Sequence, residues 1–471
     1  MKTKVFLSVS LGIAAIFLHC SVTVAGATNQ TTYLDLSFDP GSGAAGGLVE
    51  TVVPQPDGKV LICGNFGSIN GVAQPYIARL DSQGAVDTQF HSQPGYWVRH
   101  MALQPDGKII IGGFFTNVEG VPRNRVARLN SDGSLDTSFN PGTGADKKIV
   151  EGDDKDPFVF ATAVQKDGKI LIGGNFAIYN GQPSSGLARL NPDGSLDPTF
   201  SVGAGANSWV RSLYLLDNGQ ILVSGWFTTF NNQTFNRMVR LNADGSPDPS
   251  FYADFGDSTA VYTMAVQPDG KILVGGHFSR VNSTPRNSIA RINPDGSADE
   301  TFDPGTGPDG FVECIRLQPD GRAVLAGYFS QINGVPRFRT ARLNADGSVD
   351  ESYKADLDNF AWTVAIQSDG KFLFSGGFST VDGISRNEIA RVLPGGTGFV
   401  VPRLLDPALQ RGQFTAWVAT VPGMQYLLQH REVNSDHWLD SPSVTGDGSM
   451  KALVDTTASS SSSRIYRVIV N

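Results

Sequence analysis

Two sets of positions in this sequence combine aromatic and charged side chains at regular intervals. Both sets are counted from seven Asp-Gly or Asn-Gly dipeptides. Nine residues before each dipeptide stand Leu48, Trp97, Phe158, Trp209, Ala260, Phe311 and Phe360. Two residues further on stand Glu50, Arg99, Phe160, Arg211, Tyr262, Glu313 and Trp362. Aromatic rings offer stacking area and charged groups orient a ligand, so this pattern is typical of a binding surface.

A third variable position lies between a repeated Gly and a repeated Phe. It is occupied by Asn65, Phe114, Asn175, Trp226, His277, Tyr328 and Gly377. From the three sets we predict that the ligand-binding residues are Trp97, Arg99, Trp209, Arg211, Trp226, Tyr262, His277, Tyr328 and Trp362. The alternative is that these aromatic rings pack against one another between neighbouring structural units.

Catalytic chemistry has little support in the sequence. The six His residues are scattered, and no Gly-x-Ser-x-Gly, His-Glu-x-x-His or phosphate loop occurs. We therefore predict no catalytic residues and a binding or scaffold protein. The alternative is an extracellular polysaccharide hydrolase or lyase, which would need unpaired carboxylates, or a His with a carboxylate, in one cleft.

The elements that position these residues are repeated hairpins. The turns at Asp57, Asp106, Asp167, Asn218, Asp269, Asp320 and Asp369 are each followed by a second turn 26 residues later. Apolar, β-rich runs such as Val261–Gln267 and Lys271–Phe278 flank each turn, which is the pattern of a hairpin. Four short strands per repeat, copied seven times, predict an all-β, seven-bladed β-propeller. The segment Leu34–Phe38 has the pattern that the seventh repeat lacks, so we expect this N-terminal strand to complete blade seven.

Each repeat also carries an Arg between apolar neighbours, with an Asp eight residues later in six of the copies. A half-buried Arg needs a carboxylate partner, so we interpret these residues as structural ion pairs. The pairs predicted are Arg128 with Asp136, Arg189 with Asp197, Arg291 with Asp299, and Arg391 with Asp35. We expect no cofactor and no metal site. Calcium in turns such as Asn191–Asp197 is the alternative to locally hydrogen-bonded hairpin turns.

The repeated segments carry a family resemblance. Gln-Pro-Asp-Gly-Lys-(Ile/Val)-Leu-(Ile/Val)-Gly-Gly-x-Phe and (Ile/Val/Leu)-Ala-Arg-Leu-Asn-x-Asp-Gly-Ser-x-Asp resemble the delta-60 repeat, a propeller-type family of exported bacterial proteins. The resemblance covers roughly residues 33–398. It implies a propeller fold and export, and it implies no particular activity.

The ends of the chain predict its organisation. Residues 1–27 have the charged, apolar and small-residue regions of a signal peptide, residues 28–398 form the propeller, and residues 399–471 alternate like a small β-sandwich. The net charge of −8, without a basic run, argues against nucleic acid as a partner. We expect an exported monomer, secreted, periplasmic or at the cell surface, without a membrane span. Its expected partner is a protein or glycan at the cell surface.

Overall fold

The computed structural model describes residues 3–5, 32–149, 156–256, 260–395, 405–410, 413–419, 425–432, 435, 437–445, 450–457 and 464–470. These residues form strands and turns only, and this part of the chain contains no helix able to cross a membrane. One compact unit is Phe38–Pro394, and the other comprises Met1–Ser37 and Gly395–Asn471. Apart from the short strand Thr3–Val5, the predicted signal peptide lies outside the described residues.

The unit Phe38–Pro394 consists of seven antiparallel three-stranded blades. The first strands are Val49–Pro54, Val98–Leu103, Phe158–Val164, Val210–Leu215, Ala260–Val266, Val312–Leu317 and Ala361–Ile366. The second strands are Val60–Gly64, Ile109–Gly113, Ile170–Asn175, Ile221–Gly225, Ile272–His277, Ala323–Gly327 and Phe372–Gly376. The third strands are Ile77–Leu80, Val126–Leu129, Leu187–Leu190, Met238–Leu241, Ile289–Ile292, Thr340–Leu343 and Ile389–Val392. The second strand pairs with both others in every blade, as the hairpin pattern predicted.

The fourth strand of a blade is reduced to one bridge. The bridges join Leu80 to Val86, Leu129 to Leu135, Leu190 to Leu196, Leu241 to Pro247, Ile292 to Ala298 and Leu343 to Val349. The reason is local: Asp197, one residue beyond such a bridge, accepts a hydrogen bond from the backbone N–H of Thr199. This side-chain bond turns the backbone and ends the ladder.

Short hairpins connect the second and third strands. They are Ser68–Ile69 with Val72–Ala73, Asn117–Val118 with Val121–Pro122, Ile178–Tyr179 with Gln182–Pro183, Thr229–Phe230 with Gln233–Thr234, Arg280–Val281 with Thr284–Pro285, Gln331–Ile332 with Val335–Pro336, and Thr380–Val381 with Ile384–Ser385. The strands Ala44–Ala45 and Ala145–Asp146 extend the hairpins of blades one and three.

The hydrophobic core lies between neighbouring blades. In blade one, Val60 and Ile62 pack with Leu373 of blade seven, whereas Leu61 packs with Ile109 and Ile111 of blade two. Successive side chains of a strand point to opposite faces, so each second strand is buried on both faces. This arrangement explains why the second strands are continuous apolar runs rather than alternating ones.

Blade seven packs against blade one. Residues at the end of the N-terminal segment expected to complete blade seven contribute to this contact. Phe38 is fully buried in the core that contains Ile389, and the Arg391 guanidinium lies 4.8 Å from its ring centroid. Its neighbour Asp39 donates its backbone N–H to the carbonyl of Gln83 in blade one. In the other repeats, the equivalent contacts are made by residues near the end of the same repeat. In blade seven, Phe38 and Asp39 from the start of the unit make them instead.

Glu388 makes this seam between blades seven and one sensitive to pH. Its carboxylate accepts the backbone N–H of Val49 at 3.0 Å, and burial raises the pKa of Glu388 to about 7 although that hydrogen bond acts in the opposite direction. A carboxyl group with a raised folded-state pKa stabilises the fold at low pH, and that stability is lost as the pH rises through about 7.

We therefore expect Glu388→Gln to raise the free energy of unfolding at pH 8 by about 1 kcal/mol, after allowance for solvent screening of a half-exposed group, and to change it little at pH 4.5. Urea unfolding of both proteins across this pH range measures the difference. Glu300→Gln, at an exposed position, is the control and should show no pH-dependent gain. Equal pH dependence of wild type and Glu388→Gln would contradict the prediction.

The second unit contains two small sheets that form a sandwich. One sheet consists of Leu405–Gln410, Gln413–Ala419 and Met450–Asp455. The other consists of Thr3–Val5, Arg464–Val470, Gln425–Glu432, Leu439–Asp440 and Val444–Thr445. Phe414, Ala416 and Leu453 of the first sheet pack against Tyr426 and Leu428 of the second. Alternating apolar residues on facing strands produce this core, as the sequence pattern indicated.

Candidate functional site

The first strands of the seven blades lie next to one another in a closed ring, each in contact with the first strand of both neighbouring blades. The second set of positions lines one cavity inside this ring: Glu50, Arg99, Phe160, Arg211, Tyr262, Glu313 and Trp362. The cavity encloses about 540 Å³, including its opening to solvent. The next residues along several strands line it as well: Thr51, His100, Ser212, Thr263, Cys314 and Thr363. All seven first strands thus bring the same position to one central cavity.

A β-bulge occurs at the same position in every blade and directs these side chains. The strand pairing shifts between Val49 and Thr51 and at the six equivalent places, so that Glu50 and its equivalents are the extra residues. A bulge breaks the two-residue alternation of a strand. As a result, Arg99 and the following residue His100 both reach the cavity, which simple alternation does not predict.

A glycine opposite each bulge makes it possible. A methyl group built on Gly225 would collide with the backbone carbonyl of Trp209, and the same collision occurs at the six equivalent second-strand glycines. They are Gly64, Gly113, Gly174, Gly276, Gly327 and Gly376. Glycine is required at these positions because two backbones approach each other closely there, and not because the backbone adopts a positive φ.

Four charged side chains in the cavity form two ion pairs. Arg99 Nη1 lies 2.6 Å from Glu50 Oε2, and Arg211 Nη2 lies 2.6 Å from Glu313 Oε2. At least nine tenths of each side chain is buried. Burial raises the pKa of both Glu50 and Glu313, while the arginines oppose that shift. The indole N–H of Trp97 also donates to Glu50 Oε2, at 3.0 Å, and so links the cavity to the rings around it.

Both arginines stack on aromatic rings. The Arg99 guanidinium lies 4.4 Å from the ring centroid of Phe160, and that of Arg211 lies 4.3 Å from the same centroid. Trp362, from blade seven, is 5.3 Å from the Arg99 guanidinium, and Tyr262 is 5.2 Å from that of Arg211. Guanidinium groups over aromatic faces gain about 0.5–2 kcal/mol each, so the two cations are held in fixed positions.

The rings of the first and third sets, together with Tyr262 and Trp362 of the second set, form a continuous series, which we call the aromatic collar. In order, it comprises Trp97, Phe114, Phe158, Trp209, Trp226, Tyr262, Phe311, Tyr328, Phe360 and Trp362. Consecutive centroids are 4.5–6.5 Å apart. All members except the buried Phe158 are half-exposed. The rings therefore pack between blades, which was the alternative, and also present a surface to solvent.

The predicted site residues fall into two groups. Trp97, Trp209, Trp226 and Tyr328 belong to the collar, whereas Arg99 and Arg211 line the cavity, and Tyr262 and Trp362 do both. His277 is exposed and lies beside the collar, 4.2 Å from the Phe311 centroid. Blade one contributes no ring, because its positions hold Leu48 and Asn65.

His100 was not among the predicted site residues, although it follows Arg99 directly. The backbone N–H of Thr162 donates to His100 Nδ1 at 3.3 Å, and the Thr162 hydroxyl lies 3.0 Å from the same nitrogen. Nδ1 is therefore an acceptor, and the neutral ring carries its proton on Nε2. Burial, with Arg316, Arg99 and Arg211 nearby, lowers the pKa of His100 to about 3, so the ring is neutral at physiological pH.

The residues predicted as structural ion pairs lie elsewhere, at the junctions between blades. Nε of Arg128, Arg189 and Arg291 lies 2.6–2.7 Å from the Asp eight residues later in each case. All seven repeated arginines also donate Nη1 to a backbone carbonyl of the next blade, and that of Arg391 donates to Ser82 of blade one. The pairing of Arg391 with Asp35 stays a prediction.

The turn aspartates make local hydrogen bonds. Asp193 Oδ1 accepts both the backbone N–H and the hydroxyl of Ser195, at 3.0 and 2.7 Å, and four other second turns repeat this pattern. These bonds match the hairpin-turn interpretation rather than the calcium one. Within the described ranges, no group of three or more His, Cys, Asp and Glu is arranged to hold a metal ion.

Comparison with known families matches the repeats found in the sequence. A family model described as a domain of unknown function (DUF5122) β-propeller matches seven segments, and no curated protein matches the chain. The segments are residues 55–90, 104–139, 165–200, 216–251, 267–302, 318–353 and 367–398. The resemblance to the delta-60 repeat stays a prediction.

Solved structures with a similar fold have low sequence identity. The extracellular domain of a one-component system protein from B. thetaiotaomicron is 9% identical with a TM-score of 0.45, and the match covers 94% of this chain but 58% of that one. A gluconolactonase from Xanthomonas campestris is 12% identical, with a TM-score of 0.38 and coverage of 76% and 98%. A virginiamycin B lyase from Staphylococcus aureus is 14% identical, with a TM-score of 0.32 and coverage of 66% and 94%.

Proposed function

The chain belongs to the DUF5122 β-propeller family, and we propose that it is an exported, non-catalytic binding protein that takes a saccharide chain on the aromatic collar. The N-terminal sequence pattern of residues 1–27 supports export. The single observation that carries the binding function is the collar itself, whose half-exposed rings surround a cavity with charged walls.

The chemistry of a sugar ring suits this surface. A pyranose has apolar C–H faces and hydroxyl groups at its edge. The faces stack on aromatic rings such as Trp97 and Trp209, and the hydroxyls hydrogen-bond with charged groups below, such as Arg99 and Glu50. Ligand sites generally combine an apolar, aromatic lining with a few placed polar groups, and the collar and cavity have this composition. A flat protein partner would use the rings but not the cavity beneath them.

The carboxylates of the cavity support binding rather than hydrolysis. Glu50 and Glu313 are each paired with an arginine at 2.6 Å. A general acid or base needs a carboxylate oxygen that is free to reach the substrate, whereas Oε2 of each glutamate is already held by a guanidinium. His100 has no proton on Nδ1 and is neutral at physiological pH. The cavity does bring a His and two carboxylates together, as the hydrolase or lyase alternative requires, but both carboxylates are paired with arginines, and this pairing is what supports binding.

The test is a double substitution in the collar. We expect Trp97→Ala with Trp209→Ala to weaken binding of the saccharide selected from a glycan array at least about tenfold, because stacked aromatic rings dominate such contacts. Isothermal titration calorimetry measures the change, and circular dichroism checks the fold. Tyr252→Ala removes an aromatic ring that is 54% exposed and outside the collar, and it should leave binding unchanged. Unaltered binding by the double variant, or cleavage of the bound saccharide, would contradict the proposal.

A further inference from the structure

We propose that the cavity beneath the aromatic collar is an oxyanion subsite, so that the saccharide bound there carries a carboxylate, as a uronic acid does. This inference rests on the proposed function and specifies its ligand class. It comes from N–H donors of the cavity residues that have no acceptor among the described residues, and from the excess of cationic over anionic side chains that line the cavity.

The two buried arginines supply most of these donors. A guanidinium has five N–H donors. Arg99 uses Nη1 for Glu50, and Arg211 uses Nη2 for Glu313. Among the described residues, no acceptor binds the other nitrogens of either side chain. Both residues line the cavity, so these N–H groups are the ones that a ligand there would meet.

Two further donors belong to residues that line the same cavity. Since Thr162 donates to Nδ1 of His100, the proton of this ring is on Nε2, and no described residue accepts it. The indole N–H of Trp362 is buried without a hydrogen-bond partner among the described residues. Both groups can only donate. A bound group that offers several acceptor oxygens and no hydrogen of its own satisfies such a set best, and a carboxylate is such a group.

The charge balance points the same way. The cavity is lined by the cations Arg99, Arg211 and Arg316 and by the anions Glu50 and Glu313. His100 adds no charge, because its pKa is lowered to about 3 by burial and by these three arginines. The charge of Arg316, whose side chain is exposed, is therefore left without a carboxylate partner among the residues that line the cavity. Charge-assisted hydrogen bonds from Arg to a carboxylate are about twice as strong as neutral ones, which favours an acidic ligand over a neutral one.

A carboxylate in the cavity could belong to a free small acid or to a uronic acid unit of a saccharide, and the collar distinguishes these two sources. A free small acid would fill the cavity without using the rings above it. A uronic acid unit in a saccharide chain places its carboxylate in the cavity while its own ring and the next units stack on the collar. We therefore assign the carboxylate to a saccharide, and the monomeric acids become one arm of the test.

The experiment compares acidic oligosaccharides with their uncharged methyl esters. Oligomers of galacturonate, glucuronate and mannuronate, each as free acid and as methyl ester, and the three monomeric acids are titrated into the mature protein in a calorimeter. We expect at least one series to bind about tenfold more tightly as acid than as ester, and more tightly than its monomer. We expect this preference to fall as salt is raised, because salt screens charge interactions at the cavity opening.

Two paired variants test the residues without leaving an unpaired buried charge. They are Arg99→Gln with Glu50→Gln, and Arg211→Gln with Glu313→Gln. Each should reduce the ratio of acid to ester affinity towards one while the ester still binds. A collar variant that leaves the cavity intact, Trp209→Ala with Tyr328→Ala, should weaken acid and ester in the same proportion. Lys166→Gln breaks an ion pair in which both side chains are exposed and neither lines the cavity, so it is the control and should preserve the ratio.

Four results would overturn the subsite. They are equal binding of acid and ester, binding of neutral saccharides with no binding of any acidic series, an unchanged ratio in both paired variants, and binding of monomers as tight as that of oligomers. In the first three cases the collar can still bind saccharide, so the proposed function survives, whereas equally tight binding of monomers would mean that the collar adds nothing and would count against the proposed function as well. Failure of every saccharide, acidic and neutral, would overturn the proposed function together with the subsite.

Discussion

Asp197→Ala is expected to lower the free energy of unfolding of the propeller by about 3–5 kcal/mol, because it leaves buried cations without their counter-ion. The Asp197 carboxylate is almost completely buried and accepts from Arg189 at 2.7 Å and Lys169 at 2.9 Å. Burial alone would raise the pKa of Asp197, but bonds from Lys169, Thr199 and Arg189 hold that pKa well below its usual range. Arg189 in turn donates to the carbonyl of Ala243 in blade four and lies 4.6 Å from the Phe200 centroid.

Urea unfolding at pH 7 measures this loss, and two further variants interpret it. Asp217→Ala breaks the pair with Lys166, in which both side chains are exposed, and should have no measurable effect. Replacing Arg189 by Met together with Asp197 by Leu should cost less than Asp197→Ala alone, since no charge is then left unpaired. If Asp197→Ala unfolded at the same urea concentration as Asp217→Ala, the pairs would not hold the blades together.

The same pair predicts a loss of stability in acid. The folded-state pKa of Asp197 is depressed, so its contribution is present above the unfolded-state value near 4 and disappears as the pH falls. Asp87, the equivalent residue of blade one, has a pKa lowered to about 2 despite its burial, through bonds from Lys59, Gln89 and Arg79. This dependence is opposite in sign to that of Glu388, so the two groups can be distinguished by titration.

Gly225→Ala is expected to destabilise the propeller by about 3 kcal/mol and to weaken binding at the channel as well. The added methyl group would meet the carbonyl of Trp209 and the backbone N–H of Arg211. Both are backbone atoms, so relief requires the first and second strands to separate. Because Arg211 is the bulge residue, that separation displaces its guanidinium from Glu313 and from the ring of Phe160.

Thermal unfolding measures the first effect and saccharide titration the second. Gly67→Ala is the matched control, because its methyl group would have only an ordinary contact of 3.7 Å with the carbonyl of Ala45. We expect this control to change stability by less than about 1 kcal/mol and to preserve binding. A Gly225→Ala protein with wild-type stability and binding would show that the bulge does not depend on this glycine.

The sequence by itself determined the repeated architecture, because each repeat is built from short-range chemistry. Pro-Asp-Gly turns close hairpins between adjacent strands, and the pair Arg189–Asp197 joins residues only eight apart. Such interactions depend on residues within one repeat, so a single repeat is sufficient to predict them. The seven positions that line the cavity were also predictable, since they occupy equal places in equivalent first strands.

Only the tertiary structure decided what those positions do together. Arg99 pairs with Glu50 of the preceding blade, 49 residues away, and Arg211 pairs with Glu313 across an intervening blade, 102 residues away. Which charges meet depends on closure of the ring, which brings all first strands to one centre. The bulges that add His100 to the cavity depend on backbone approach at the second-strand glycines, and side-chain alternation alone does not reveal it. Repeat chemistry is local and can be read from sequence, whereas the site is formed by contacts between blades that only the folded ring brings together.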